Sequence, residues 1–198
     1  MIAALACSCL LAAAEVAPDA LHVTEGALGA DATTIVVATP RLRADLPGSP
    51  MGATLRVERA EAMYVGAKPL GSGRELAQIG LLFCHADPCN THAVMVSGDS
   101  AGIWRLKIQR KSNAGQSRSA ECENRGYSEI VVRPLADFDV TAGFTISATM
   151  IEGVARVAFR ADGVETVERF EVPDCAAGVT VRSDNMAWRG RISPEPTP

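Results

Sequence analysis

The chain has 198 residues, of which 47% are hydrophobic and 21% charged, and its net charge is −4. Such a length and composition fit one globular domain with a sizeable core and exclude an intrinsically disordered chain. The acidic balance argues against nucleic acid as the main partner, because phosphate binding draws on a basic surplus.

Met1 to Ala14 carries no charge and is almost wholly apolar, and Ala12-Ala13-Ala14 before Glu15 is a small-residue cleavage pattern. Residues 1–14 therefore read as a secretory signal peptide, which places the mature chain in the periplasm or outside the cell. The run is too short to span a bilayer, and no membrane span is expected. Removing it takes away Cys7 and Cys9 and leaves Cys84, Cys89, Cys122 and Cys175. An even number of cysteines in an exported chain points to two disulfides.

Residues 15–32 read as an irregular leader into a β-domain over 33–192, and the proline-rich 193–198 as a frayed tail. Thr33–Ala38 is a β-branched run, and Pro47-Gly48 and Pro50 signal a turn within 41–50. From Ala53 to Ala60, Leu55 and Val57 alternate with Arg56 and Glu58. Pro69, Gly71 and Gly73 then mark a loop. Three strands follow, at 75–83, 91–96 and 102–110, and they read as an antiparallel meander. In the third, Trp104, Leu106 and Ile108 share the buried face and Arg105, Lys107 and Gln109 the opposite one. Phe144, Ile146, Ala148 and Met150 repeat the alternation. Glu152-Gly153 and Asp162-Gly163 are hairpin turns, and strands at 178–182 and 186–192 close the domain. No stretch of helical length keeps a 3.6-residue period. The fold class is all-β, a two-sheet antiparallel sandwich or barrel.

Two loops, 84–90 and 112–127, leave the same end of the meander and gather its sulfur and polar chemistry. Strand geometry brings Cys89 to Cys122 and Cys84 to Cys175; the alternative pairs Cys84 with Cys89 and Cys122 with Cys175. The first pairing sets Asn90, Asn124 and Arg125 beside one another at this rim. Cys84, His85, Asp87, Cys89 and His92 form a zinc-like cluster without a standard zinc spacing. Asp87, Asn90, Asp99, Glu121 and Glu123 are oxygen donors of the kind calcium takes, though Asp87-Pro88 and Asp99 read equally as turn formers. The polar face of the meander, with Gln78, His92, Arg105, Lys107 and Gln109, is the candidate ligand face, since amides and guanidinium groups suit hydroxyls and carboxylates. Trp104 and Trp188 lie on apolar faces and read as core.

The segment Gly178-Val179-Thr180-Val181-Arg182-Ser183-Asp184-Asn185, after two hairpin turns and before a last strand, resembles the end of concanavalin A-like jelly rolls. It looks most like the laminin-G-like and 3-keto-disaccharide hydrolase-like branches. The middle of the chain is similar to secreted bacterial proteins of this shape. The resemblance implies a jelly-roll sandwich whose concave groove holds sugars. Arg56-Val57-Glu58-Arg59 and Gln78-Ile79 also look similar to two strands of alginate-lyase-like enzymes. There the histidine position is Gly80 here, and Met186–Ile192 has no tyrosine. The reading that follows is a secreted or cell-envelope carbohydrate-binding module without catalysis and without a cofactor, calcium being the cation its oxygen donors would suit. A glycan-active hydrolase or lyase in the groove, and a structural or adhesive surface module, are the alternatives.

Overall fold

The computed structural model describes residues 14–63, 70, 75–87, 90–112, 127–172 and 175–195. Among them the strands are β1 His22–Glu25, β2 Ile35–Val37, β3 Arg41–Asp45, β4 Ala53–Ala62, β5 Glu75–Asp87, β6 Asn90–Asp99 and β7 Trp104–Ser112. They continue with β8 Tyr127–Pro134, β9 Phe144–Ile151, β10 Val154–Ala161, β11 Val164–Glu171, β12 Val179–Asp184 and β13 Met186–Pro194. Two antiparallel sheets result, one in the order β1-β3-β12-β5-β6-β7-β8 and the other β11-β10-β9-β4-β13-β2. This is a jelly-roll sandwich.

Period two builds the core. Ile79, Leu81 and Phe83 of β5, Val94 and Val96 of β6, and Leu106 and Ile108 of β7 are fully buried on the inner face of the seven-stranded sheet. Leu55 of β4, Ile146 and Ala148 of β9, Val157 of β10 and Ile192 of β13 answer them from the six-stranded sheet. Trp104 and Trp188 belong to this core, and the indole of Trp188 donates to Ser183 Oγ at 3.0 Å. The β9–β10 and β10–β11 hairpins turn on Glu152-Gly153 and Asp162-Gly163, where all four residues have positive φ. Among the described residues no helix is long and apolar enough to cross a membrane.

Three stretches differ from the sequence reading. The leader, 15–32, contains β1, which pairs with β3. The turn region 41–50 begins with β3 itself, in which Leu42 and Ala44 point inward and Arg41, Arg43 and Asp45 outward. Beyond Tyr127 lies β8, an exposed edge strand paired with β7.

Candidate functional site

On the outer face of the seven-stranded sheet, register places Arg43 opposite Arg182, Arg41 opposite Asp184, and Asp184 opposite Gln78. Like charges directly opposite one another in a ladder repel, so the Arg43/Arg182 pair needs compensation. Carboxylates supply it. Arg182 Nε donates to Asp184 Oδ2 at 2.8 Å, and Gln78 Nε2 donates to the same oxygen at 2.6 Å. Glu25 of β1 stands 3.3 Å from both Arg41 and Arg43. Thr180 donates to Asp45 Oδ1 at 2.6 Å. Donors and acceptors therefore alternate in a continuous row across β1, β3, β12 and β5. Burial works against the charge on Arg182. Asp184 and then Tyr127 outweigh it and hold the guanidinium pKa above its ordinary value.

The Tyr127 contact also reports the shape of the sheet. Tyr127 is on β8 and Arg182 on β12, and β5, β6 and β7 lie between them. Four strand spacings measure about 19 Å on a flat sheet, more than two side chains span. The electrostatic influence of Tyr127 on Arg182 across those strands fits a sheet that curls toward this face, here termed the concave one.

The sequence-predicted ligand residues divide. Gln78 is in the row. Arg105 lies on the same face but its guanidinium holds Asp99 at 3.0 Å, and Lys107 is 5% exposed and paired with Glu129 at 2.9 Å. The face around them is closed, since Ala93, Met95 and Ser97 of β6 are also buried. Lys107 is thus corrected from an open cation to a buried ion pair. Gln109 is on the same face, half-buried, opposite Glu129. His92 is on the other face: it lies opposite Phe83 and shares the inner side with Val94 and Val96. Its ring sits 5.8 Å from Phe83 and 5.9 Å from Phe170. The expectation that it lines the groove is overturned by that register.

At the rim, Asn90 opens β6 opposite Ser112. Asn124, Arg125, Cys89 and Cys122 lie outside the described residues. Cys84 is bonded to Cys175, with Cα atoms 4.5 Å apart. That bond removes Cys84 from any zinc cluster. Of the calcium candidates, Glu121 and Glu123 lie outside the described residues, and Asp99 stands apart from Asn90. Asp99 ends β6 at the opposite end from Asn90, about 30 Å away at strand rise. It closes a turn by accepting from Ala101 and Ile103 N–H groups, each at 3.0 Å. Among the described residues no group of three metal-capable side chains gathers.

The lyase-like strands are separated by the fold. Arg56 and Glu58 are on β4 and the last strand is β13, both in the six-stranded sheet, whereas Gln78 is on β5 in the other. Glu58 is occupied by Arg189 and Arg191 at 3.4 and 3.2 Å.

Sequence reasoning missed Arg41, Arg43 and Glu25. The signal for two of them was present, since Arg-Leu-Arg-Ala-Asp alternates polar and apolar residues as a half-buried strand does.

The two-sheet jelly roll is a fold shared with solved lectin-like and carbohydrate-binding domains. The structure is similar to the legume lectin-like domain from Entamoeba histolytica, with a TM-score of 0.54 and 5% identity, each chain being 91% covered. It is also similar to the CBM2 module of the evolved Dit of Lactobacillus casei BL23 phage J-1. There the TM-score is 0.52 and the identity 9%, with 85% of this chain and 79% of that chain covered. Bacteroides ovatus xyloglucan PUL GH43B gives a TM-score of 0.53 at 11% identity, covering 87% of this chain and 38% of that one. No protein-family model and no curated protein matches the sequence. At these identities the likeness is one of fold.

Proposed function

We propose that the chain is an exported carbohydrate-binding module without catalysis, and that a glycan lies across the concave face over β1, β3, β12 and β5. The observation that carries this reading is the row Glu25, Arg43, Arg41, Arg182, Asp184 and Gln78. Its three arginines stand among two carboxylates and an amide, a mixed set of donors and acceptors that suits the hydroxyls of a sugar chain, each of them both donor and acceptor. The lectin-like and carbohydrate-binding neighbours support it at the level of fold. The separation of the lyase-like residues onto two sheets supports a binding role over that chemistry.

Arg41 is the most accessible arginine of the row, with 62% of its side chain exposed. Changing Arg41→Ala is expected to leave stability within about 0.5 kcal/mol of the parent. It should weaken binding to the best-bound polysaccharide of a glycan panel by about tenfold, the worth of one charge-assisted hydrogen bond. Unchanged affinity in affinity electrophoresis would remove the glycan from this face.

Export is part of the proposal and rests on the apolar run Met1 to Ala14 and on the Cys84–Cys175 bridge, which an oxidising compartment sustains. Mass spectrometry of natively produced protein is expected to find an N-terminus near Glu15. An intact Met1 would contradict it.

A further inference from the structure

The open edge of the sandwich, between β8 of one sheet and β11 of the other, holds a second polar cavity. A clamp formed by Arg133 and Glu168 joins the two edge strands at one point. Elsewhere along this edge a cleft of about 330 Å³ opens, lined by His92, Arg110, Ser128, Ile130, Phe170 and Glu171 among others. We propose that this cleft is a second sugar subsite, taking the terminal ring of a neutral glycan end-on. The proposal rests on the carbohydrate reading above but on none of its residues.

Size comes first. The cleft is at the low end of the ~300–1,000 Å³ range of small-molecule pockets, room for one ring and not for a chain passing through. Charge comes second. Arg110 and Glu171 border the same cleft, so cation and carboxylate offset each other. His92 adds no charge near neutral pH, because burial and then the nearby Arg110 hold its pKa below the ordinary imidazole value. A neutral polyol is favoured over a sugar acid by this balance. Hydrogen-bonding chemistry comes third. A guanidinium donates only, a carboxylate accepts only, and a hydroxyl does both, so adjacent hydroxyls of one ring can satisfy Arg110 and Glu171 together. Among the described residues Arg110 makes no side-chain ion pair, and its carbonyl takes the Ser128 hydroxyl at 3.3 Å. His92 Nδ1 is sealed from solvent without a hydrogen-bond partner, and the His92 ring lines the cleft. Phe170 and Ile130 offer the C–H face of the ring an apolar wall.

The test uses the full chain with its histidine and phenylalanine ring signals resolved by NMR. It is titrated separately with methyl β-D-glucopyranoside, methyl β-D-galactopyranoside, methyl α-D-mannopyranoside and glucuronate. Saturable shifts of the His92 and Phe170 rings are expected with at least one of the three neutral glycosides. Arg110→Ala and Glu171→Gln, both at exposed positions, should each weaken that binding by about tenfold or more, while Arg41→Ala leaves it unchanged. No saturable shift with any neutral glycoside, shifts indifferent to both cleft variants, or tighter binding of glucuronate would each overturn the proposal. If the concave-face reading fails instead, oligosaccharides leave the amides of β3 and β12 unmoved while the His92 ring still responds.

Discussion

Replacing Cys84 and Cys175 together by serine is expected to cost about 4 kcal/mol of folding stability. The bridge joins the end region of β5 in the seven-stranded sheet to the segment after β11 in the six-stranded one, across a separation of 91 residues. On the loop-entropy account a closure of that length contributes between about 4 and 5 kcal/mol, and removing native disulfides costs about 2–5. Set against a typical total of about 5–15 kcal/mol, the loss leaves the variant marginal at 37 °C. Phe83, next to Cys84, lies 5.8 Å from the His92 ring and 6.4 Å from Phe170, so the bond pins the chain beside the rings that line the edge cleft, in addition to the Arg133–Glu168 clamp. The double serine variant is the cleaner test than reductant, which also reaches any bridge between Cys89 and Cys122. Urea unfolding followed by tryptophan fluorescence measures it, and a loss below about 1 kcal/mol would show that the sandwich edge closes without the bond.

The second large effect is at Asp184. Its carboxylate is 5% exposed and takes hydrogen bonds from Arg182 and Gln78. Asp184→Ala leaves the part-buried Arg182 guanidinium without its counter-charge, and breaking such a pair from one side costs about 3–5 kcal/mol. Asp184→Asn keeps the shape and is expected to cost less. The informative comparison is the double variant Arg182→Met with Asp184→Leu. Removing both charges also removes both desolvation penalties, so stability should return to within about 1–2 kcal/mol of the parent. Glycan binding should not return with it. Recovery of binding in the apolar double variant would mean that the pair serves the fold alone.

Much of the sandwich was legible because its strands alternate. The run from Phe144 to Met150 buries every second residue, and the two hairpin turns at Glu152-Gly153 and Asp162-Gly163 have the positive φ that their residues suggest. The meander β5-β6-β7 was legible for the same reason. What alternation could not reveal was who partners whom. Lys107 reads as a solvent-facing cation until β8 is found beside it, and β8 is hidden because Tyr-Ser-Glu-Ile-Val-Val-Arg-Pro does not alternate and carries a register shift against β7. His92 misled for a different reason. Thr-His-Ala-Val-Met-Val is apolar on both faces, as a central strand buried on both sides must be, and gives no parity to read. Only register against Phe83 assigns the histidine to the inner side. The candidate site was half legible. Arg182 and Asp184 stand in the segment that carried the family resemblance, and Gln78 was named. Arg41 and Arg43 were masked by the neighbouring Pro47-Gly48 turn, which drew the whole 41–50 stretch into one loop.

These parts meet in one claim: a glycan chain binds the concave face through the row that crosses β1, β3, β12 and β5. The most direct test is a map of backbone amide shifts of the full chain on titration with soluble neutral hexose oligosaccharides, cellohexaose and galactohexaose among them. Saturable shifts are expected that cluster at Glu25, Arg41, Arg43, Gln78, Arg182 and Asp184 and weaken in Arg41→Ala. Shifts confined to the six-stranded sheet, or none with any oligosaccharide, would contradict it.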